Sequence, residues 1–181
     1  LGPNGAGKTT TIHMLVGFHE ASDGDARVFG FSIREQLSEV QAIMGVCPQF
    51  DILWGELTGE EHLTLFAGLR NLDRQQTGDE VARLLRETDL EEARRLRSSA
   101  YSGGMRRRLS VAISLIGNPR IVFLDEPTTG MDPISRRHVW NIIERAKKDK
   151  VLVLTTHSME EADVLGDRIA IMAQGQLQCL G

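Results

Sequence analysis

Cysteine is scarce in this chain. Cys47 and Cys179 are the only two in 181 residues, too few and too far apart for a disulfide framework or a four-ligand zinc site, so a reducing compartment is the simplest setting. An excess of positive charge is also missing. With 21 Lys+Arg against 25 Asp+Glu, the formal charge is −4; no overall positive field exists to hold a nucleic-acid backbone, and no nucleic-acid partner is expected. Any bound anion must be held locally. Long apolar runs are absent: stretches such as Ile121–Leu124 and Val151–Leu154 have four residues, against the ~20 a membrane-spanning helix needs. Internal repeats, low-complexity segments and a signal peptide are lacking as well. The chain opens at Leu1, directly inside a functional loop, and is expected to be an N-terminally truncated fragment.

What is present is an ordinary globular balance, 41 % hydrophobic and 25 % charged residues, which argues against disorder and for one unit built around a core. Helical and strand patterns alternate, the mark of an α/β fold with a mainly parallel sheet. The runs Ile43–Cys47, Ile121–Leu124 and Val151–Leu154 read as buried strands. Each is followed at once by polar residues: Gln49, then Asp125 and Glu126, then Thr155, Thr156 and His157. Chemistry in α/β proteins collects at such carboxyl ends. Ile169–Met172 is a fourth strand candidate, and Ala26–Phe31 and Gln176–Leu180 read as short peripheral strands.

Val139, Ile142, Ile143 and Ala146 repeat at helical spacing, with Asp132 and Pro133 upstream as N-cap and first helical residue. Thr58 with Glu61, and Ser158 with Glu161, match the capping box. From Thr58 to Leu96 the pattern is helical throughout. The expected organisation is therefore a core over 1–57 and 110–181, with a helical subdomain over 58–109 inserted in it.

The sharpest motif is Gly2-x-x-x-x-Gly7-Lys8-Thr9, the phosphate-loop pattern. With 18 Gly, 4 Lys and 21 Ser+Thr in the chain, about 0.004 chance matches are expected. Glycines let backbone N–H groups converge on phosphates, the helix starting near Lys8 aims its positive end at them, and Lys8 adds a full charge. Thr9 then offers a hydroxyl to Mg²⁺. The run ending in Asp125 and Glu126 places one carboxylate where it can hold the Mg²⁺ shell and a second where it can polarise a water. A lone Asp-Glu pair reads more simply as a solvated or capping acid. The tripeptide Ser102-Gly103-Gly104, between Tyr101 and Met105, opens a helix about 20 residues before that strand and changes the reading.

With these residues in this order, the chain resembles the nucleotide-binding domain of ATP-binding cassette (ABC) proteins along nearly its whole length. Gly2 to Thr9 resembles the family's Walker A loop, Gln49 its Q-loop, Tyr101 to Met105 its signature, Ile121 to Glu126 its Walker B strand, Thr129 to Asp132 its D-loop and His157 its switch histidine. The resemblance is greatest to subfamily A, of lipid and sterol transporters. Cys47-Pro48-Gln49-Phe50-Asp51, Leu53-Trp54, the Met105 signature ending, Thr128 to Pro133 and Thr155 to Asp163 carry it. Arg136 to Trp140 resembles eukaryotic members, plant ones among them. The usual signature is LSGGQ; here Tyr101 and Met105 replace its first and last residues while Ser102 and both glycines stay.

The resemblance implies a P-loop NTPase (RecA-like) core acting as a nucleotide-driven clamp. Gly2, Asn4, Gly5, Gly7, Lys8, Thr9 and Thr10 would bind ATP, and Ser102, Gly103, Gly104 and Asp132 would cover the nucleotide of a partner cassette in a head-to-tail dimer. Thr9, Gln49 and Asp125 would hold Mg²⁺. Glu126 would act as general base, His157 would position the γ-phosphate, and Gln49 would link the site to transmembrane domains of the same polypeptide. The implied setting is the cytoplasmic face of a membrane protein, with ATP hydrolysis driving transport of a substrate of lipid type. A soluble cassette ATPase working on ribosomes or DNA, and a cassette that binds ATP without hydrolysing it, are the alternatives. The family's adenine-stacking aromatic and the strand delivering the phosphate loop lie upstream of these residues, so the 181 residues alone are expected to lack a complete core and to aggregate. Arg94, Arg95, Arg97 and Arg106 to Arg108 read as a solvated helical face among Glu87, Asp89, Glu91 and Glu92. His13, His19, His62 and His138 show no ligand spacing and read as structural or surface residues. Trp54 suits either the face that docks transmembrane segments or the core.

Overall fold

The computed structural model describes residues 1–181. At its centre lies β4 (Ile121–Asp125), buried at all five positions, between β3 (Met44–Cys47) and β5 (Val151–Thr155) in a parallel sheet of order β3-β4-β5. Cys47 pairs with Leu124 and Asp125 with Thr155, so the three strands finish side by side. A strand covered on both faces needs apolar residues in succession, although neighbours still point opposite ways. Ile121 and Phe123 pack with Ile12, Val16, Val40 and Met44. Val122 and Leu124 face Leu109, Leu115, Ile142 and Ile143.

The first face is covered by α1 (Lys8–Val16) and α2 (Leu37–Ile43), the second by α5 (Gly103–Leu115) and α6 (Pro133–Ala146). Two further helices, α3 (Gly59–Leu69) and α4 (Arg74–Glu87), pack together through Leu63, Ala67, Val81, Leu84 and Leu85 and join the core of α5. Thr58 and Glu61 form the expected capping box at α3, and Asp73 and Gln76 form another at α4. After β5 come α7 (Met159–Leu165) and an antiparallel hairpin of β6 (Ala170–Ala173) and β7 (Gln176–Leu180).

Several local expectations are corrected. Ile43 ends α2 instead of opening β3, because the ladder with β4 starts at Met44 opposite Ile121 while the Ile43 carbonyl accepts from the Arg120 amide. The Ala26–Phe31 strand is instead a tight hairpin of β1 (Arg27–Val28) and β2 (Phe31–Ser32), turned by Phe29 and Gly30 at φ 51° and 91°. The helical stretch from Thr58 ends at Glu87; Leu90 to Arg97 is turn and loop, and a 3₁₀ turn follows at Ser98–Ala100.

The sheet is open along β5. Val151 is 48 % exposed, and a cleft of about 570 Å³ lined by Val153, Leu154, Ile169 and Ala170 separates β5 from β6. Total accessible surface is 10307 Å², against about 8,700 Å² expected for a compact monomer of 20.1 kDa. Leu1 and Gly2 run over the end of this cleft: the Leu1 backbone nitrogen donates to the Ala170 carbonyl at 2.8 Å, and the Gly2 amide to the Thr156 carbonyl at 3.2 Å. The loop from Gly2 to Gly7 is thereby brought to the carboxyl ends of the strands.

Candidate functional site

The phosphate loop enters α1 through Gly7, whose φ of 95° lies in the left-handed region that side chains disfavour. Without a side chain, Gly7 gives α1 no cap oxygen, whereas Thr58, Asp73, Ser102, Asp132 and Ser158 each cap the helix that follows them. The first-turn amides of α1 are left to an external acceptor, the arrangement that favours phosphate. Lys8 is buried and donates from Nζ to the carbonyls of Gly2 at 2.8 Å and Pro3 at 3.0 Å. The same Nζ lies 3.3 Å from Oε1 of Glu126.

Glu126 is the meeting point. One residue past β4, it adopts φ 46°, a left-handed bend that takes it off the strand line; its amide donates to the carbonyl and hydroxyl of Thr155. Its Oε2 accepts from the Thr129 hydroxyl at 3.0 Å and from Gln49 Nε2 at 3.4 Å, and lies 3.4 Å from Nδ1 of His157. Burial by itself raises the Glu126 pKa; hydrogen bonds from Thr129 and Lys8 and the charges of Lys8 and His157 outweigh it and hold the carboxyl below its ordinary range. An anion with four donors around it results.

Asp125 faces the other way. Its Oδ1 accepts from the hydroxyls of Thr9, at 3.1 Å, and Thr155, while its Oδ2 is buried with no hydrogen-bond partner. No cluster of three His, Cys, Asp or Glu side chains exists that could cage a metal by itself. One orphaned carboxylate oxygen beside one hydroxyl fits Mg²⁺, which takes few protein oxygens and completes its shell with water and phosphate.

Gln49, Lys8, Thr9, Asp125, Glu126 and His157 thus converge. Asn4, Gly5 and Thr10 lie exposed around the loop. Ser102, Gly103, Gly104 and Asp132 form a separate, largely exposed group, with no hydrogen bond or ion pair to the first set. Ser102 caps α5 by accepting from the Met105 amide at 3.2 Å, and Asp132 caps α6 by accepting from the amides of Ile134 and Ser135 at 3.0 Å. The two helix starts touch: a Cβ on Gly104 would lie 2.6 Å from the Ser135 hydroxyl. Tyr101 is buried, and its hydroxyl donates to the Ala93 carbonyl at 2.9 Å, fastening the signature to the α3–α4 side.

A family model described as "ABC transporter" matches residues 1–129. The chain belongs to the ABC transporter family. Among curated relatives, ABC transporter A family member 2 of Arabidopsis thaliana is 59 % identical over all of this chain and 19 % of its own length. Phospholipid-transporting ATPase ABCA3 of Homo sapiens is 50 % identical over all of this chain and 11 % of its own. The chain spans about a tenth to a fifth of the length of the curated relatives it matches. A solved ATP-binding subunit of an ABC transporter, 28 % identical, superposes with a TM-score of 0.86 over all of this chain and 76 % of that one. The fold is also that of a dimeric ATP-binding cassette solved in a post-hydrolysis state with ADP and Pi, at TM-score 0.87 and 21 % identity over 99 % of this chain and 82 % of that one.

Within this ABC cassette, two residues that frame the site do so against expectation. Arg107 is not on a solvated face: it is 6 % exposed and donates to carbonyls of Pro48, Asp125 and Pro127. Arg108 is half-buried and donates to Thr88 and Asp89, so only Arg94, Arg95, Arg97 and Arg106 of that group lie on the surface. Glu161 supplies no return bond to the Ser158 cap, because its buried carboxylate accepts from Thr128 Oγ1 at 2.6 Å and Trp140 Nε1 at 2.9 Å. Trp54 is half exposed and stacks on His62, a buried structural histidine that accepts from the Trp54 amide at 3.0 Å.

Proposed function

We propose that this cassette binds and hydrolyses ATP to power transport, of lipid in character, by a membrane protein on whose cytoplasmic side it sits. The observation that carries the reading is the position of Glu126 among Lys8, Gln49, Thr129 and His157. Phosphate oxygens compete with Glu126 for the Lys8 ammonium and for the uncapped amides of α1. Drawing Lys8 away removes the strongest opposing charge from Glu126 and raises its basicity toward that of a general base. Gln49 and Glu126 then orient the attacking water, and His157 contacts the γ-phosphate. Thr9, Asp125 and Gln49 would hold Mg²⁺, which when bound would supply positive charge against the phosphates.

Ser102, Gly103, Gly104 and Asp132 serve a second cassette. Exposed glycines and a helix start with no ligand within their own chain suit a surface that closes over the partner's nucleotide in a head-to-tail dimer. The 50 % identity to a phospholipid-transporting ATPase supports a lipid cargo. No helix here is long and apolar enough to cross a membrane. The division into a core of 1–57 and 110–181 and a helical subdomain of 58–109 is part of this reading, with α5 running through the boundary.

In the full-length protein, Glu126→Gln should retain ATP binding and lower turnover about 10²- to 10⁴-fold. ATPase assay with labelled-nucleotide binding on one preparation checks both halves; near-normal turnover removes Glu126 from the role of base.

A further inference from the structure

Arg107 lies five positions beyond Ser102 on α5, inside the molecule, and every part of its guanidinium is engaged. Nε donates to the Pro127 carbonyl at 2.7 Å. Nη1 donates to the carbonyls of Pro48 at 2.7 Å and Gln49 at 3.3 Å and to Asp51 Oδ1 at 3.2 Å. Nη2 donates to the carbonyls of Asp125 at 3.1 Å and Glu126 at 3.4 Å. One rigid fork therefore grips two loops at once, the one that carries Gln49 and the one that carries Glu126.

The acceptors explain the residue type. Five of the six are backbone carbonyls, which a guanidinium can bridge because its donors diverge in a fixed plane. A lysine ammonium, a compact point charge, reaches one loop or the other. Asp51, on the first loop, supplies the only ion pair, at 3.2 Å. Because α5 is a 13-residue helix with a largely buried apolar face, its capped end at Ser102 and the grip of Arg107 move as one body.

We infer that Arg107 is a positioning residue for hydrolysis: it fixes Gln49 and Glu126 relative to each other and ties both to the helix that presents Ser102, Gly103 and Gly104. Closure of that helix end over a nucleotide is thereby felt at the water-orienting groups of the same chain. This rests on the assignment of Glu126 and Gln49 to ATP hydrolysis made above.

The test uses the full-length protein, its Arg107→Lys and Asp51→Asn variants, and each in a Glu126→Gln background. Turnover is expressed per bound ATP, so loss of folded protein does not count. Arg107→Lys should lower kcat on the order of 10- to 100-fold with KM for ATP nearly unchanged, and Asp51→Asn, which keeps an acceptor oxygen but removes the charge of the ion pair, about threefold. In the Glu126→Gln background both losses should vanish, because a residue acting through Glu126 has nothing left to act on. Wild-type kcat in Arg107→Lys, a change in KM alone, or an equal loss in the Glu126→Gln background overturns the inference. Should Arg107→Lys fail to fold, Asp51→Asn decides by the same criteria. Full turnover by Glu126→Gln itself would instead overturn the underlying assignment.

Discussion

At the carboxyl end of β4 the charged groups find partners inside the chain: Lys8 meets Glu126 at 3.3 Å, Glu126 collects Thr129, Gln49 and His157, and Arg107 fastens the loops behind them. At the amino end of α5 the reverse holds, and Ser102 and Gly103 face solvent with nothing beyond their own helix start to bind. The first region is organised by tertiary contacts among the charged groups themselves, whereas the second is anchored from behind through Tyr101 and presents Ser102 and Gly103 from a capped helix start. In the proposed clamp, a site whose two halves are built so differently keeps its chemistry in one chain and leaves its closure to another.

The contrast is tested hardest at Lys8. Removing one partner of a buried ion pair strands the other, so Lys8→Met should destabilise the strand ends by about 3 kcal/mol and abolish ATP binding. Hydrogen exchange of the β4 amides in the full-length protein reads the first effect. The same change should raise the Glu126 pKa. A carboxylate with a depressed folded-state pKa contributes stability above its unfolded pKa and loses it as pH falls through the folded value. With Lys8 gone, the folded-state value moves back toward the unfolded one, so this acid-dependent loss becomes smaller and is complete at higher pH, and an acid-unfolding series follows it.

Ser102→Ala is the opposite probe. It removes one cap, about 1 kcal/mol at the start of α5, and should leave β4 exchange unchanged while weakening ATP-dependent pairing of cassettes. If β4 exchange accelerates as much as in Lys8→Met, the two regions are not separate. The smallest effect concerns the cysteines. Burial pushes the Cys47 thiol up to about 11, so it should resist alkylation at neutral pH, whereas exposed Cys179 is labelled readily. Peptide mapping by mass spectrometry checks the ratio, and equal labelling would show that the end of β3 opens in solution.

Much of this arrangement was legible before any coordinates because its signals are local. A glycine pattern before Lys8, an apolar run before Asp125 and capping residues at Thr58, Ser102 and Asp132 each act within a few positions of themselves. The place of Ile43 is not legible, because a short apolar run does not say whether it closes a helix or opens a strand; the ladder that starts with Met44 opposite Ile121 decides it. Arg107 and Glu161 were illegible for a different reason. Arg107 bonds to groups 18 to 59 residues away and Glu161 to groups 21 and 33 away, and no spacing rule reaches that far. Both sit amid polar neighbours that suggest solvent. Only the packing of α5 against the sheet and of α7 against α6 shows that these two charges point inward.

The left-handed bend at Glu126 sorts the residues that can replace it. Asn and Gly adopt φ 46° with little strain, whereas β-branched residues do not, so Glu126→Asn and Glu126→Gly keep the turn while removing the carboxylate that pairs with Lys8. On the proposed reading, such variants should fold and load nucleotide without turning it over. Glu126→Val adds backbone strain at φ 46° to the loss of the carboxylate and should leave less folded protein.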